Sequence, residues 1–185
     1  MRVEPWREIA KFGRKMVEQG LVGSHFGNIS VREGEHIHIT RTGSMLDEIT
    51  EEEVVVVPLQ GESPVDSLAS TELRVHRRVY AITEHRAVVH GHTPYAVILS
   101  FKYDSVKPVD AEGGYFLGEI PVVEGESGSE ELAANVASAL KDHRAVIVRG
   151  HGTFAAGRDL KEAFVALSAT EHSCRVLYGL LCLRT

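Results

Sequence analysis

Over residues 5–20 the apolar positions recur at helical spacing. Ile9, Phe12, Met16 and Val17 make one stripe, and Lys11, Arg14, Lys15 and Glu18 the opposite one. This predicts an amphipathic helix with Pro5 in its first turn and Gly20 as its stop. The period then falls to two: residues 29–32 and 36–40 read as strands joined by a turn at Glu33-Gly34-Glu35. Ile37 and Ile39 face inward there, and His36 and His38 face water. Residues 47–53 form a polar or weakly helical connector, and the β-branched run at 54–59 predicts a strand covered on both faces. After a loop at 60–67, a helix opens at Ser70 or Thr71, each a natural N-cap, and runs to about His85. Leu73, Val75, Val79, Tyr80 and Ile82 are among its apolar residues.

Ala87-Val88-Val89-His90-Gly91-His92 predicts a buried strand ended by Pro94, which opens a helix to about Phe101. A short strand at 106–109, a glycine-containing loop at 110–116 and another short strand at 120–123 follow. Residues 129–143 predict a helix with Ala133, Val136, Ala137 and Leu140 inward, and 145–148 a buried strand. Arg149 to Thr153 reads as a loop, Gly157 as a turn, and Asp159 to about Leu183 as the last long helix.

Composition adds bounds rather than identity. The 185 residues make one domain the simplest reading, residues 1–185, with enough chain to bury a core. At 43% hydrophobic and 25% charged, the chain is in the range of water-soluble proteins. The formal charge of −6 leaves no basic footprint, which argues against nucleic acid or an anionic membrane as a partner. No leader and no apolar run of membrane length is evident, so a cytoplasmic protein is expected. Cys174 and Cys182 fall in one helix, where eight residues span about 12 Å, too far for a disulfide.

Candidate chemistry gathers at element ends. Strand alternation projects His90 and His92 from one face, a bidentate chelate for a borderline-soft divalent metal; the alternative is two polar residues on a wet strand face. His151 sits between Gly150 and Gly152 at another strand end, with room around its imidazole. Glu72 lies at a helix start, where acids also belong on electrostatic grounds, and the hydroxyls of Ser70 and Thr71 beside it favour an anion. His76, four residues on, is expected to satisfy a local hydrogen bond rather than bind metal. Gly27 and Asn28 let the backbone approach a ligand closely, or form an ordinary connection; the polar turn around Thr42 and Gly43 can bind an anion or be simply a turn. Three histidines with Glu72 as a displaceable fourth ligand make a catalytic zinc site, one Zn2+ per chain. A carboxylate near a carbonyl compound polarised by that ion can remove the adjacent C–H proton.

Gly27-Asn28-Ile29-Ser30, Thr42-Gly43, Ser70-Thr71-Glu72, His90-Gly91-His92 and Gly150-His151-Gly152 stand in the order and approximate spacing of the class II aldolase/adducin family. The chain resembles that family over nearly its whole length. The short interval between His92 and His151 resembles members that cleave ketose 1-phosphates such as L-fuculose 1-phosphate. The resemblance implies an α/β layered fold with a mainly antiparallel central sheet flanked by helices. It implies retro-aldol cleavage to dihydroxyacetone phosphate and a small aldehyde through a metal-stabilised enediolate, in a zinc-containing homotetramer with sites near subunit interfaces. Carried over, Glu72 is the base and labile ligand, His90, His92 and His151 the zinc triad, and Gly27, Asn28, Thr42, Gly43, Ser70 and Thr71 the phosphate and substrate cradle. Two departures stand out. The family's proton-donating tyrosine falls near Asp110 here, leaving Tyr115 or Glu112 to substitute, and the chain stops at Leu183-Arg184-Thr185 without the tail that helps cover the site. Alternatives within the family are a pentulose-phosphate 4-epimerase and a sugar-phosphate dehydratase; outside enzymology, a non-catalytic adducin-like interaction module.

Overall fold

The computed structural model describes residues 4–183. Arg184 and Thr185, on which the expectation of a short tail bears, lie outside the described residues. The helices are α1 (Pro5–Glu18), α2 (Leu73–Ile82), α3 (Pro94–Ser100), α4 (Ala111–Phe116), α5 (Glu130–Ala139) and α6 (Leu160–Cys182). The strands are β1 (Asn28–Glu33), β2 (His36–Thr40), β3 (Val54–Pro58), β4 (Ala87–Gly91), β5 (Ser105–Val106), β6 (Ile120–Val123), β7 (Ala145–Val148) and β8 (Gly152–Gly157). No helix among the described residues is long and apolar enough to cross a membrane.

The strands form one eight-stranded sheet in the order β3-β2-β1-β4-β8-β7-β6-β5. Every neighbouring pair is antiparallel except β6 and β7. Alternation along the central strands splits the core in two. Ala87, Val89, Ile147 and Ala155 face a layer holding Ile9, Phe12 and Met16 of α1, Ala96 and Leu99 of α3, and Ala163 and Leu167 of α6. Val88, Val146, Val148, Phe154 and Ala156 face the other way, onto Val75 and Val79 of α2 and Leu132 and Val136 of α5. The architecture is therefore helix, sheet, helix.

Local chemistry sets several ends. α1 stops in a Schellman turn: the Gly20 amide donates to Val17 O (3.0 Å) and the Leu21 amide to Met16 O (2.9 Å). Ser129 and Asp159 cap α5 and α6, their side chains accepting from the amides of Leu132 and Glu162. Cys174 is buried and Cys182 exposed, and neither forms a disulfide among the described residues.

Four local expectations need correction. β3 is an edge strand, paired on one side only, so Val55 and Val57 enter the core while Val56 stays 46% exposed. The valine run reads as doubly covered because its composition does not reveal its place in the sheet. Residues 152–157 form β8, a central strand, although Gly-Thr-Phe-Ala-Ala-Gly has little strand propensity; it is held by β4 and β7 on either side and by α6 across one face. Residues 110–116 hold α4, whose helical pattern Gly113 and Gly114 obscure; Asp110 caps it, accepting from the Gly113 amide at 2.8 Å. Finally, α2 begins at Leu73 with Glu72 in the cap position and ends at Ile82. Ser70, one of the two expected caps, instead accepts from the Glu72 amide (3.3 Å) in the turn that precedes the helix.

Candidate active site

Asn28 of β1 and Phe154 of β8 flank His90 in register on the two neighbouring strands. The Phe154 ring stacks on the imidazole, centroids 4.0 Å apart and planes 15° from parallel. His90 Nδ1 lies 3.1 Å from the Thr153 carbonyl and donates to it, which fixes the tautomer and leaves the Nε2 lone pair free. The end of β4 and the start of β8 come close because residue 152 is glycine: a Cβ added there would run into the Gly91 carbonyl oxygen. This approach swings His151, just before β8, against His90 on β4 and His92 just after it.

His90 Nε2 and His151 Nε2 stand 3.3 Å apart, and ligand nitrogens of His90, His92 and His151 all lie within 4.8 Å of one another. Four-coordinate zinc with Zn–N bonds of about 2.0–2.1 Å puts tetrahedral ligands about 3.3 Å from each other, which the His90–His151 pair matches, and His92 completes a three-nitrogen donor set within 4.8 Å. Burial, reinforced by His151 and His92, pushes the His90 imidazole well below its usual range; burial and His151 bring His92 down to about 4. Both rings are neutral at physiological pH, the form that binds metal.

A cavity of about 190 Å³ opens over these rings. It is lined by Gly27, Asn28, Thr42, Gly43, Ser70, Thr71, Glu72, His90, His92 and His151, which are all the candidate site residues of the sequence except Tyr115 and its alternative Glu112. Gly27 brings the backbone close to His90: its φ is +77°, and an added Cβ would lie 2.5 Å from the His90 carbonyl oxygen. Glu72 is 3% exposed. Ser127 Oγ donates to its Oε1, while Oε2 is buried without a hydrogen-bond partner among the described residues. The three imidazoles form the donor cluster without Glu72, which lines the same cavity; an orphaned carboxylate oxygen there is the acceptor expected where a cation or an acidic C–H is to be bound. Larger grooves exist, including one of about 670 Å³ beside α2, but the triad lies in the smaller cavity.

Several lining residues carry no signal in the sequence. Ser127 comes from the turn before α5, and only the fold brings it to Glu72. Ser44 presents a buried hydroxyl without a partner among the described residues, next to Thr42 and Gly43. Phe26, 51% exposed at the rim, stacks on His92 with centroids 5.3 Å apart. Tyr115 projects from α4 at 95% exposure and does not line this cavity. Asp110 is occupied as the cap of α4; burial works to raise its pKa, and the Gly113 amide helps bring it below the ordinary value, so it stays ionised. His36 is exposed, and His38 faces Glu33 at 3.4 Å, away from the cavity.

Fold and site define an α/β enzyme architecture with a three-histidine metal centre and a carboxylate in reach of the same cavity. The family described as Class II Aldolase and Adducin N-terminal domain matches residues 7–178, and the chain belongs to it. A crystal structure of L-fuculose-1-phosphate aldolase from Thermus thermophilus superposes with a TM-score of 0.94 at 37% identity, covering 99% of this chain and 97% of that one. An L-fuculose phosphate aldolase of Methanococcus maripaludis (strain C7) is 34% identical over 85% of this chain and 87% of its own length. A methylthioribulose-1-phosphate dehydratase of Gluconobacter oxydans is 31% identical over 89% and 86%. The class II aldolases are metal-dependent lyases, and this chain is an enzyme of that class.

Proposed function

We propose that the protein is a zinc-dependent aldolase that cleaves a ketose 1-phosphate, L-fuculose 1-phosphate or a close analogue, to dihydroxyacetone phosphate and a small aldehyde. The observation that carries this reading is the convergence of His90, His92 and His151 in one cavity with a buried, half-satisfied Glu72 carboxylate. When bound, zinc supplies a Lewis acid that stabilises negative charge on the substrate oxygens. The chain's own groups do the rest. Gly27, Asn28, Thr42, Gly43, Ser70 and Thr71 bind and orient the phosphorylated half through amide and hydroxyl donors. Ser127 fixes one Glu72 oxygen and leaves Oε2 to exchange a proton with the carbon next to the carbonyl. In cleavage the C4 hydroxyl gives up its proton as the C3–C4 bond breaks, and the Glu72 carboxyl gives one proton to C3 of the dihydroxyacetone phosphate formed; in condensation both transfers run in reverse. The proton of the aldehyde oxygen is assigned to Tyr115 of a neighbouring subunit in a homotetramer, a reading supported by its exposure on α4. The setting is cytoplasmic.

A panel of phosphorylated ketoses with zinc-loaded protein tests this reading. Stoichiometric dihydroxyacetone phosphate is expected from a ketose 1-phosphate. Release of water without carbon–carbon cleavage would establish the dehydratase reading, which the Gluconobacter relative favours; inversion at C4 of a pentulose phosphate would establish the epimerase. Zinc near one per chain, lost in His92→Ala, separates every enzyme reading from an adducin-like module.

A further inference from the structure

β1 and α2 meet by a match of periods. Asn28 and Ser30 are two apart on a strand, and His76 and Tyr80 four apart on a helix, so each pair shares a face. The four side chains form one buried line: His76 and Ser30 are fully buried, Tyr80 is 1% and Asn28 4% exposed. His76 Nε2 lies 2.6 Å from Asn28 Oδ1, and His76 Nδ1 lies 2.6 Å from Ser30 Oγ. Tyr80 Oη stands 2.6 Å from Ser30 Oγ and 3.0 Å from the Ser30 carbonyl oxygen, and directs its proton to Ser30.

We propose that His76 is a positioning residue: anchored by Ser30 and Tyr80, it holds the Asn28 carboxamide with its NH2 turned into the cavity, ready to donate to an anionic oxygen of the substrate. A carboxamide oxygen only accepts, so Nε2 carries the imidazole proton and Nδ1 takes the proton of Ser30. With Oδ1 engaged, the Asn28 NH2 has no partner among the described residues, and Asn28 lines the cavity. An unlocked asparagine would also present its oxygen, which repels a phosphate. A row of four buried polar groups is a costly way to fill a core unless their orientation matters.

The inference rests on the sugar-phosphate reading of the cavity, and its test separates the two. In zinc-loaded protein, His76→Leu should weaken dihydroxyacetone phosphate binding by calorimetry about tenfold, the usual worth of a hydrogen bond to a charged group. It should raise KM in the same proportion and change kcat little. His76→Gln, whose side-chain amide can still donate to Asn28, should recover most of the affinity. Asn28→Ala should match His76→Leu, and the double variant should be no worse than Asn28→Ala alone. An equal further loss of affinity in the Asn28→Ala background would overturn the proposal. Nitrogen NMR of the His76 ring supplies an arm that needs neither substrate nor variant. An Nε2–H tautomer is expected, and an Nδ1–H tautomer would overturn the relay. If wild-type protein fails to bind dihydroxyacetone phosphate, the sugar-phosphate reading falls and the tautomer alone decides how Asn28 is held.

Discussion

Glu72 sits at the elbow where the turn from Ser70 becomes α2, and it is the cap position that frees its side chain for the cavity. A residue inside the first turn would point along the helix; here one oxygen meets Ser127 and the other meets nothing among the described residues. If Glu72 moves the substrate proton, Glu72→Gln should slow hydrogen exchange at C3 of dihydroxyacetone phosphate by about a hundredfold or more while largely sparing phosphate binding. Near-normal exchange would remove it as the base. His76 makes a second prediction at this scale. Burial lowers its pKa to about 3, below the ordinary 6.5, so the folded state resists a proton that the unfolded chain accepts. The stability it supports is complete above pH 6.5 and drains as pH falls toward 3, by up to about 1.4 kcal/mol per unit. Urea unfolding of metal-free protein at pH 7 and pH 5 should show this loss, and His76→Gln should show less of it.

At the scale of elements, the metal centre depends on how closely β4 and β8 approach. Gly91 pairs with Thr153 there, and a Cβ at Gly152 forces the strands apart or shifts the Gly91 carbonyl. Gly152→Ala should therefore weaken zinc binding by about tenfold or more while the helices remain folded, measured by chelator competition and circular dichroism. The same contact explains a limit of sequence reading. β8 is built from glycine and alanine around Thr153 and Phe154 because it runs between two strands beneath a helix, and small side chains carry almost no strand signal. α4 is hidden in the same way by its paired glycines, whereas α1, α5 and α6 announce themselves through their apolar periodicity.

Across the whole molecule, the cavity collects residues from the start of β1 and the loop before it, the turn after β2, the turns before α2 and α5, the end of β4 and the turn before β8. Glu72 and the hydroxyl-bearing turns line it, but among the described residues no tyrosine does. Tyr115, 95% exposed on α4, fits a site completed by a second copy. Light scattering should find a tetramer. Mixtures of Glu72→Gln and Tyr115→Phe chains, each inactive alone, should regain part of the activity after co-refolding, since hybrids pair an intact carboxylate with an intact phenol. Failure of that rescue would return the proton donor to the cavity's own residues. The ligand types and their order belong to the sequence: His-x-His on a short apolar strand, a lone histidine between glycines, and an acid at a helix start are chemical facts of the chain, readable from local spacing. Convergence belongs to the fold. His151 is 61 positions from His90 and Ser127 is 55 from Glu72, and only the tertiary fold, with the missing Cβ of Gly152 at the β4–β8 contact, brings them within bonding distance. The same holds for His76, whose ring meets Asn28 and Ser30 because a helix of one period lies on a strand of another, a coincidence of packing that no local pattern encodes.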